Sequence, residues 1–224
     1  MAEVLLSCEM LEDEMQLALQ RTGVQMPIVW LDAGLHEYPA KLRASLREKI
    51  AELEQSYDTI LLGFCLCGNA MDGVGASRAR LVVPRFDNCI RMLMSRAQGQ
   101  MPDVDCHCLY FTHSWTTHGK FLSTQYDETI AKYGEKKGKR VYQMMLKNYE
   151  GIRLVDTQAF DLLPCRAYIQ QTAEKLNLCY GETTGSIRIL EKLLCHEWDD
   201  EFYILAPGDH FRQMEFLRHP SSTD

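Results

Sequence analysis

Four cysteines carry the chemistry this chain is best equipped to do. Cys8 in "LLSCEML" follows an apolar run at 4–6, and Cys65 and Cys67 in "TILLGFCLCGNAMDGVGAS" follow another at 60–62. Cys89 in "LVVPRFDNCIRML" comes shortly after a third run at 81–83. A thiolate is a nucleophile and a soft metal ligand. Three thiolates from separate loops, one from Cys8, one from Cys65 or Cys67 and one from Cys89, suit two kinds of centre. One is a four-iron four-sulfur cluster with one iron left open to substrate; the other is zinc with three sulfurs and an open position. No C-x-x-C pair is present. Spacing alone therefore leaves a plainer alternative open, in which these thiols pack as small hydrophobes at strand ends.

Other residues could serve such a site. Gly68, Gly73 and Gly75 follow Cys67. A glycine-rich loop after a strand lets backbone N–H groups approach an anion or cofactor, or it simply turns the chain. Asn69 could orient a bound group or form a turn. No G-x-G-x-x-G or Walker pattern accompanies them, so a nucleotide is weakly supported. His36 and Tyr149 are candidates for contact with a cofactor or substrate, His36 also serving as an ordinary structural hydrogen bonder. Cys106, His107 and Cys108 form a second group, with His113 and His118 nearby. Cys108 begins a strand, so this group is expected at the far end of that strand from the first site. Cys165, Cys179 and Cys195 fall in or beside helices with apolar spacing, which predicts core packing.

The elements that must position these residues alternate. Short apolar runs at 4–6, 28–31, 59–64, 81–83, 108–112, 152–155 and 202–206 read as strands. Helical spacing separates most of them. Leu42, Leu46, Ile50 and Leu53 form one stripe behind Pro39, which loses no intrahelical hydrogen bond in a first turn. Asp87 or Asn88 can cap a helix that begins near Cys89, where unpaired N–H groups would favour a thiolate. The stretch 123–148 predicts one or two helices, and further helices are expected at 164–176 and 186–198. Continuous rather than alternating apolar strands, with helices between them, predict an α/β fold: a mostly parallel sheet with helices on both faces, Rossmann-like and three-layered. Ligands in such folds bind at the carboxyl ends of the strands, where Cys8, Cys65, Cys67 and Cys89 fall. A single domain over 1–224 is expected, with a break near 138–151 as the place where two lobes would divide.

Composition narrows the function. The 224 residues are 46% hydrophobic and 25% charged, which excludes a disordered chain. No apolar run approaches the ~18–20 residues of a membrane span. The start, Met1-Ala2-Glu3, lacks a basic segment and leads into Glu9, Glu12, Asp13 and Glu14, which argues for a cytoplasmic protein without a secretory signal. A net charge of −7 makes nucleic acid a poor partner. The one basic patch, 136–140, is a solvated loop or helix start, or a contact for an anion or an acidic partner. Nine cysteines, an odd number, argue against a disulfide framework and leave metal binding, redox chemistry or burial.

Several of these stretches together resemble the family known as domain of unknown function 1638. The likeness rests on "LSCEML", on Leu35, His36 and Pro39 in "LDAGLHEYPAKL", and on Cys67 and Gly68 in "LLGFCLCGNAMDGV". It continues with Pro84 and Cys89 in "LVVPRFDNCIRML", Trp115 in "YFTHSW", and Asn148 and Tyr149 in "LKNYEGIRLVDT". The resemblance implies that Cys8, Cys67 and Cys89 are the recurring cysteines, with Cys65 and the 106/108 pair as departures. It also implies an association with corrinoid-dependent methyltransferases of the trimethylamine or glycine-betaine type. The expected function is thus a metal-centred protein, with a four-iron cluster favoured over zinc, acting in small-molecule sulfur or methyl-group chemistry. The alternative is a non-catalytic accessory protein that binds a methyltransferase or corrinoid partner.

Overall fold

The apolar runs become strands in two sheets. The structure, a computed structural model, describes residues 2–67, 69–99, 102–118 and 122–216, and of His36, Glu37 and Met214 only the backbone. In chain order the elements are β1 (Glu3–Cys8), α1 (Glu12–Thr22), β2 (Ile28–Leu31), α2 (Pro39–Leu53), β3 (Thr59–Gly63), β4 (Arg80–Pro84) and α3 (Cys89–Met94). Then come β5 (Cys108–Phe111), α4 (Ser114–Thr117), α5 (Leu122–Tyr133), α6 (Glu135–Met145), β6 (Gly151–Asp156), α7 (Leu162–Leu176) and β7 (Cys179–Thr184). The chain ends with α8 (Arg188–Leu194), β8 (Phe202–Leu205) and α9 (Gln213–Phe216).

The first sheet has the order β2-β1-β3-β4-β8, parallel except for β8 at one edge. Alternate residues of each strand point to opposite faces. Val4, Leu6 and Leu62 enter a core with the α2 stripe of Leu42, Leu46, Ile50 and Leu53. Leu5, Leu61 and Val82 enter another with Met15 and Ala18 of α1 and Leu190 and Leu194 of α8. Both faces are covered, which is why the strands read as unbroken apolar runs. The fold is α/β, with mostly parallel sheets flanked by helices in a Rossmann-like arrangement.

The second sheet, β5-β6-β7, is wholly parallel. Ile152 and Leu154 pack there on Cys165, Ile169 and Ala173 of α7. β7 was not expected. Its sequence, CYGETT, carries a glycine and a glutamate on a half-exposed edge, so it shows no apolar run. The polar stretch after β5 forms two helices, α5 and α6, divided at Gly134, whose φ of 78° suits glycine. The basic patch lies in α6. The chain passes from the first sheet to the second between α3 and β5 and returns between β7 and α8. The stretch 138–151, where a break was expected, covers most of α6 and the turn into β6. Among the described residues, no helix is long and apolar enough to cross a membrane.

Candidate functional site

Parallel register decides where the thiols meet. Cys8 is the last residue of β1, Cys65 and Cys67 lie just past the end of β3, and Cys89 opens α3 after β4. These three strands are adjacent and parallel, so all four thiols arrive at one carboxyl edge. Cys8, Cys65 and Cys89 are buried, and Cys67 is partly exposed. Cys8 packs in the core facing α2, whereas Cys65 and Cys89 pack in the core facing α1 and α8. Cys67 touches both, because it sits beyond the rim of the sheet.

The loop that carries Cys67 is held in an uncommon shape. Cys67 has φ 47° and Asn69 φ 71°, left-handed values that cost non-glycine residues energy and often mark functional sites. Leu66 N–H donates to Phe86 O at 3.1 Å, tying this loop to the one before Cys89. Arg43 donates to Asn69 O at 2.6 Å and Arg47 to Gly73 O at 2.9 Å, anchoring it to α2. Gly73 and Gly75 are closely packed against the chain itself. A Cβ on Gly73 would stand 2.7 Å from Arg47 Nη2, and one on Gly75 2.3 Å from Asp209 O, so the chain itself fills that space. Gly68 lies outside the described residues. His36 belongs to a short helical turn at Ala33–Glu37 that follows β2 at the same edge, and its side chain lies outside what the structure describes.

Burial sets the electrostatics. It pushes the Cys8 thiol up to about 12 and Cys67 up to about 11, and holds Cys65 and Cys89 well above the ordinary thiol range. The neighbouring cysteines add to the rise: Cys67 and Cys8 both raise Cys89, and Cys67 raises Cys8. Such mutual influence places the thiols in one local field. The helix start at Cys89 was expected to favour a thiolate there, but burial outweighs it. Two backbone groups work the other way. Met10 N–H donates to Cys8 Sγ at 3.4 Å, and the Cys65 backbone favours the Cys67 thiolate.

The donor atoms at this edge, sulfurs, are of the type a soft metal centre would use. Buried thiolates without a cation are costly, and a bound metal supplies the compensating charge. The only set of three or more donor side chains among the described residues whose ligand atoms all lie within 4.8 Å of one another is Asp105, Cys106 and His107. At least one pair among the sulfurs of Cys8, Cys67 and Cys89 therefore stands more than 4.8 Å apart, wider than the ~3.8 Å that tetrahedral zinc–sulfur bonds of ~2.3 Å impose. A cluster with its thiolates on different irons accepts the wider spread.

The second unit covers this edge. Trp115 of α4 packs against all three cores and edge-on to Phe111 at 6.0 Å. The first turn of α1 then bonds across with three successive acids. Glu12 meets His118 Nε2 at 2.6 Å. Asp13 meets His113 Nδ1 at 2.9 Å and accepts from Ser114 Oγ at 2.6 Å. Glu14, fully buried, accepts from Thr157 Oγ1 at 2.9 Å. Thr112 and Thr157 follow β5 and β6, so the carboxyl edge of the second sheet faces that of the first. Sequence reasoning missed Glu14 and this seam. The visible signal was three consecutive acids at a helix start, where the helix dipole favours them.

Other candidates fall elsewhere. Tyr149 precedes β6 and is roughly 20 Å of strand away from the carboxyl edge, at ~3.3 Å per residue. It lines a cavity of about 340 Å³ with Tyr126, Lys139, Tyr142 and Lys175. Asp105, Cys106 and His107 are exposed at the start of β5, the far end as expected. Cys165 is buried as expected, but Cys179 and Cys195 are exposed, Cys179 on the unexpected β7 and Cys195 at the end of α8.

No curated protein matches the chain. The family model described as a protein of unknown function (DUF1638) matches residues 30–194. That span takes in Cys67, Cys89 and Trp115 and leaves Cys8 and the α1 acids outside it. Since it covers well over half of the 224 residues, the chain belongs to the DUF1638 family.

Proposed function

We propose that Cys8, Cys67 and Cys89 hold a four-iron four-sulfur cluster in a cytoplasmic protein that carries out sulfur or methyl-group chemistry on a small molecule. The observation that carries this reading is the arrival of Cys8, Cys67 and Cys89 from three adjacent parallel strands at one carboxyl edge, with at least one pair of their sulfurs too far apart for one tetrahedral ion. Three ligands leave one iron open, where such a cluster binds and polarises a small molecule. The protein's own part is to hold the thiols, to donate Met10 N–H to Cys8, and to shield the edge with Trp115. The cytoplasm agrees with nine cysteines that no disulfide joins.

Anaerobic purification followed by an absorption spectrum and metal analysis tests the reading. About four irons per chain, with the broad visible absorption of a cluster, are expected. One zinc per chain would favour the zinc alternative, and neither metal in fully reconstituted protein would defeat both. Serine at Cys8, Cys67 or Cys89 should each abolish iron uptake, while Cys179→Ser and Cys195→Ser leave it unchanged.

One observation favours the accessory reading as a second role. Val141, Met144 and Met145 of α6 are exposed beside the basic patch, a surface suited to an acidic partner such as a methyltransferase or its corrinoid protein. Calorimetric titration with those purified proteins decides it: unchanged heats in Met144→Glu would count against α6 as the contact.

A further inference from the structure

Among the described residues, Glu14 is the one buried acid. Its side chain is fully buried, yet only Oε1 is satisfied, by Thr157 Oγ1. Oε2 completes no hydrogen bond among the described residues, and neither does the buried hydroxyl of Thr112, although Thr112 stands close enough to favour the carboxylate. A buried carboxylate with a bare oxygen is costly, and a proton on that oxygen removes the charge. Glu14 also lies near the thiols: its charge raises Cys89, and such coupling is reciprocal. A route to solvent is at hand, since Asp13 next in the chain meets His113, whose side chain is 35% exposed.

We infer that Glu14 takes up the proton that accompanies one-electron reduction of the cysteine-held cluster, an inference that rests on the iron–sulfur reading above. The electron comes from an external low-potential donor, dithionite in the assay. The proton comes from solvent and forms one O–H bond on the carboxylate, and no other bond forms or breaks. Other groups around Glu14 are already committed or are buried thiols. Asp13 is paired with His113 and Ser114, and Glu12 with His118. From α8, Glu191 answers Arg21 two turns along α1. Cys89 of α3 and Cys165 of α7 are buried thiols raised by burial.

The test is the reduction potential of reconstituted protein, followed by absorbance, from about pH 6 to about pH 9 around the neutral range. The wild-type potential should fall as pH rises, by up to about 59 mV per unit, the tenfold coupling of one proton to one electron. Glu14→Gln should keep its iron content and lose that slope. Thr157→Val, which removes the hydroxyl that favours the carboxylate, should move the sloping range to higher pH; it also serves if Glu14→Gln fails to fold. Iron-loaded protein with a flat wild-type profile, or with an unchanged slope in Glu14→Gln or an unmoved range in Thr157→Val, overturns the role of Glu14 and leaves the cluster standing. Protein that takes up zinc or no metal overturns the cluster and this inference together.

Discussion

A single buried carboxyl makes the residue-scale energetics explicit. Burial raises Glu14 from 4.5 to about 7, against the opposing pull of Thr157. In the unfolded chain the group ionises near its ordinary value, while the native state keeps its proton longer. The native state therefore binds more protons between those two values, and stability falls as pH rises through that window. At about 1.4 kcal/mol per unit, roughly 3 kcal/mol has been lost once the pH passes the folded value. Glu14→Gln in metal-free protein should then be more stable than wild type at about pH 8, while losing most of that advantage at about pH 5. Urea unfolding at the two values checks this, and parallel changes in both proteins would show that Glu14 is not held as described.

At the scale of elements, the rim on which the cysteines sit depends on strands that are fixed from both faces. Leu46 of α2 is fully buried in the core that also holds Cys8 and Phe64. Leu46→Ala should cost about 2–5 kcal/mol, the range for a cavity in a packed core. Because the cavity opens on the Cys8 side of the sheet, iron retention on mild heating should fall with it. A matched substitution such as Ile169→Ala, in the second sheet's core, should destabilise without the same loss. Thermal unfolding followed by iron release separates the two. These elements were legible because their signals are local: Pro39 and the four-leucine-type stripe mark α2, and Asn88, whose Oδ1 accepts from Arg91 N–H at 2.9 Å, marks α3. β7 was illegible because an edge strand with Gly181 and Glu182 needs little apolar surface. That Cys8, Cys67 and Cys89 reach one carboxyl edge depended on β1, β3 and β4 lying side by side in parallel, an order the sequence alone left open. Glu14 could not be anticipated, because its partner Thr157 is 143 residues away and belongs to another sheet.

At the scale of the whole molecule, the three acids of α1 act as a seam between two sheets whose carboxyl edges face each other. Their contributions differ by environment. The Glu12–His118 pair is partly exposed and, like other solvent-screened pairs, worth about 0.2–1 kcal/mol. Asp13 bonds both His113 and Ser114 in a less exposed position, with bonds to a charged acceptor worth about 1.5–3 kcal/mol. Asp13→Ala removes that acceptor without touching either sheet's core. The expected result is local opening at 112–118, read as faster amide exchange there, with β1, β3 and β6 still protected. Loading with iron should not restore protection at 112–118 in Asp13→Ala, because the proposed ligands all come from the first sheet. If loading does restore it, the cluster grips the second unit directly and Trp115, which packs on all three cores, is the side chain through which that grip must act.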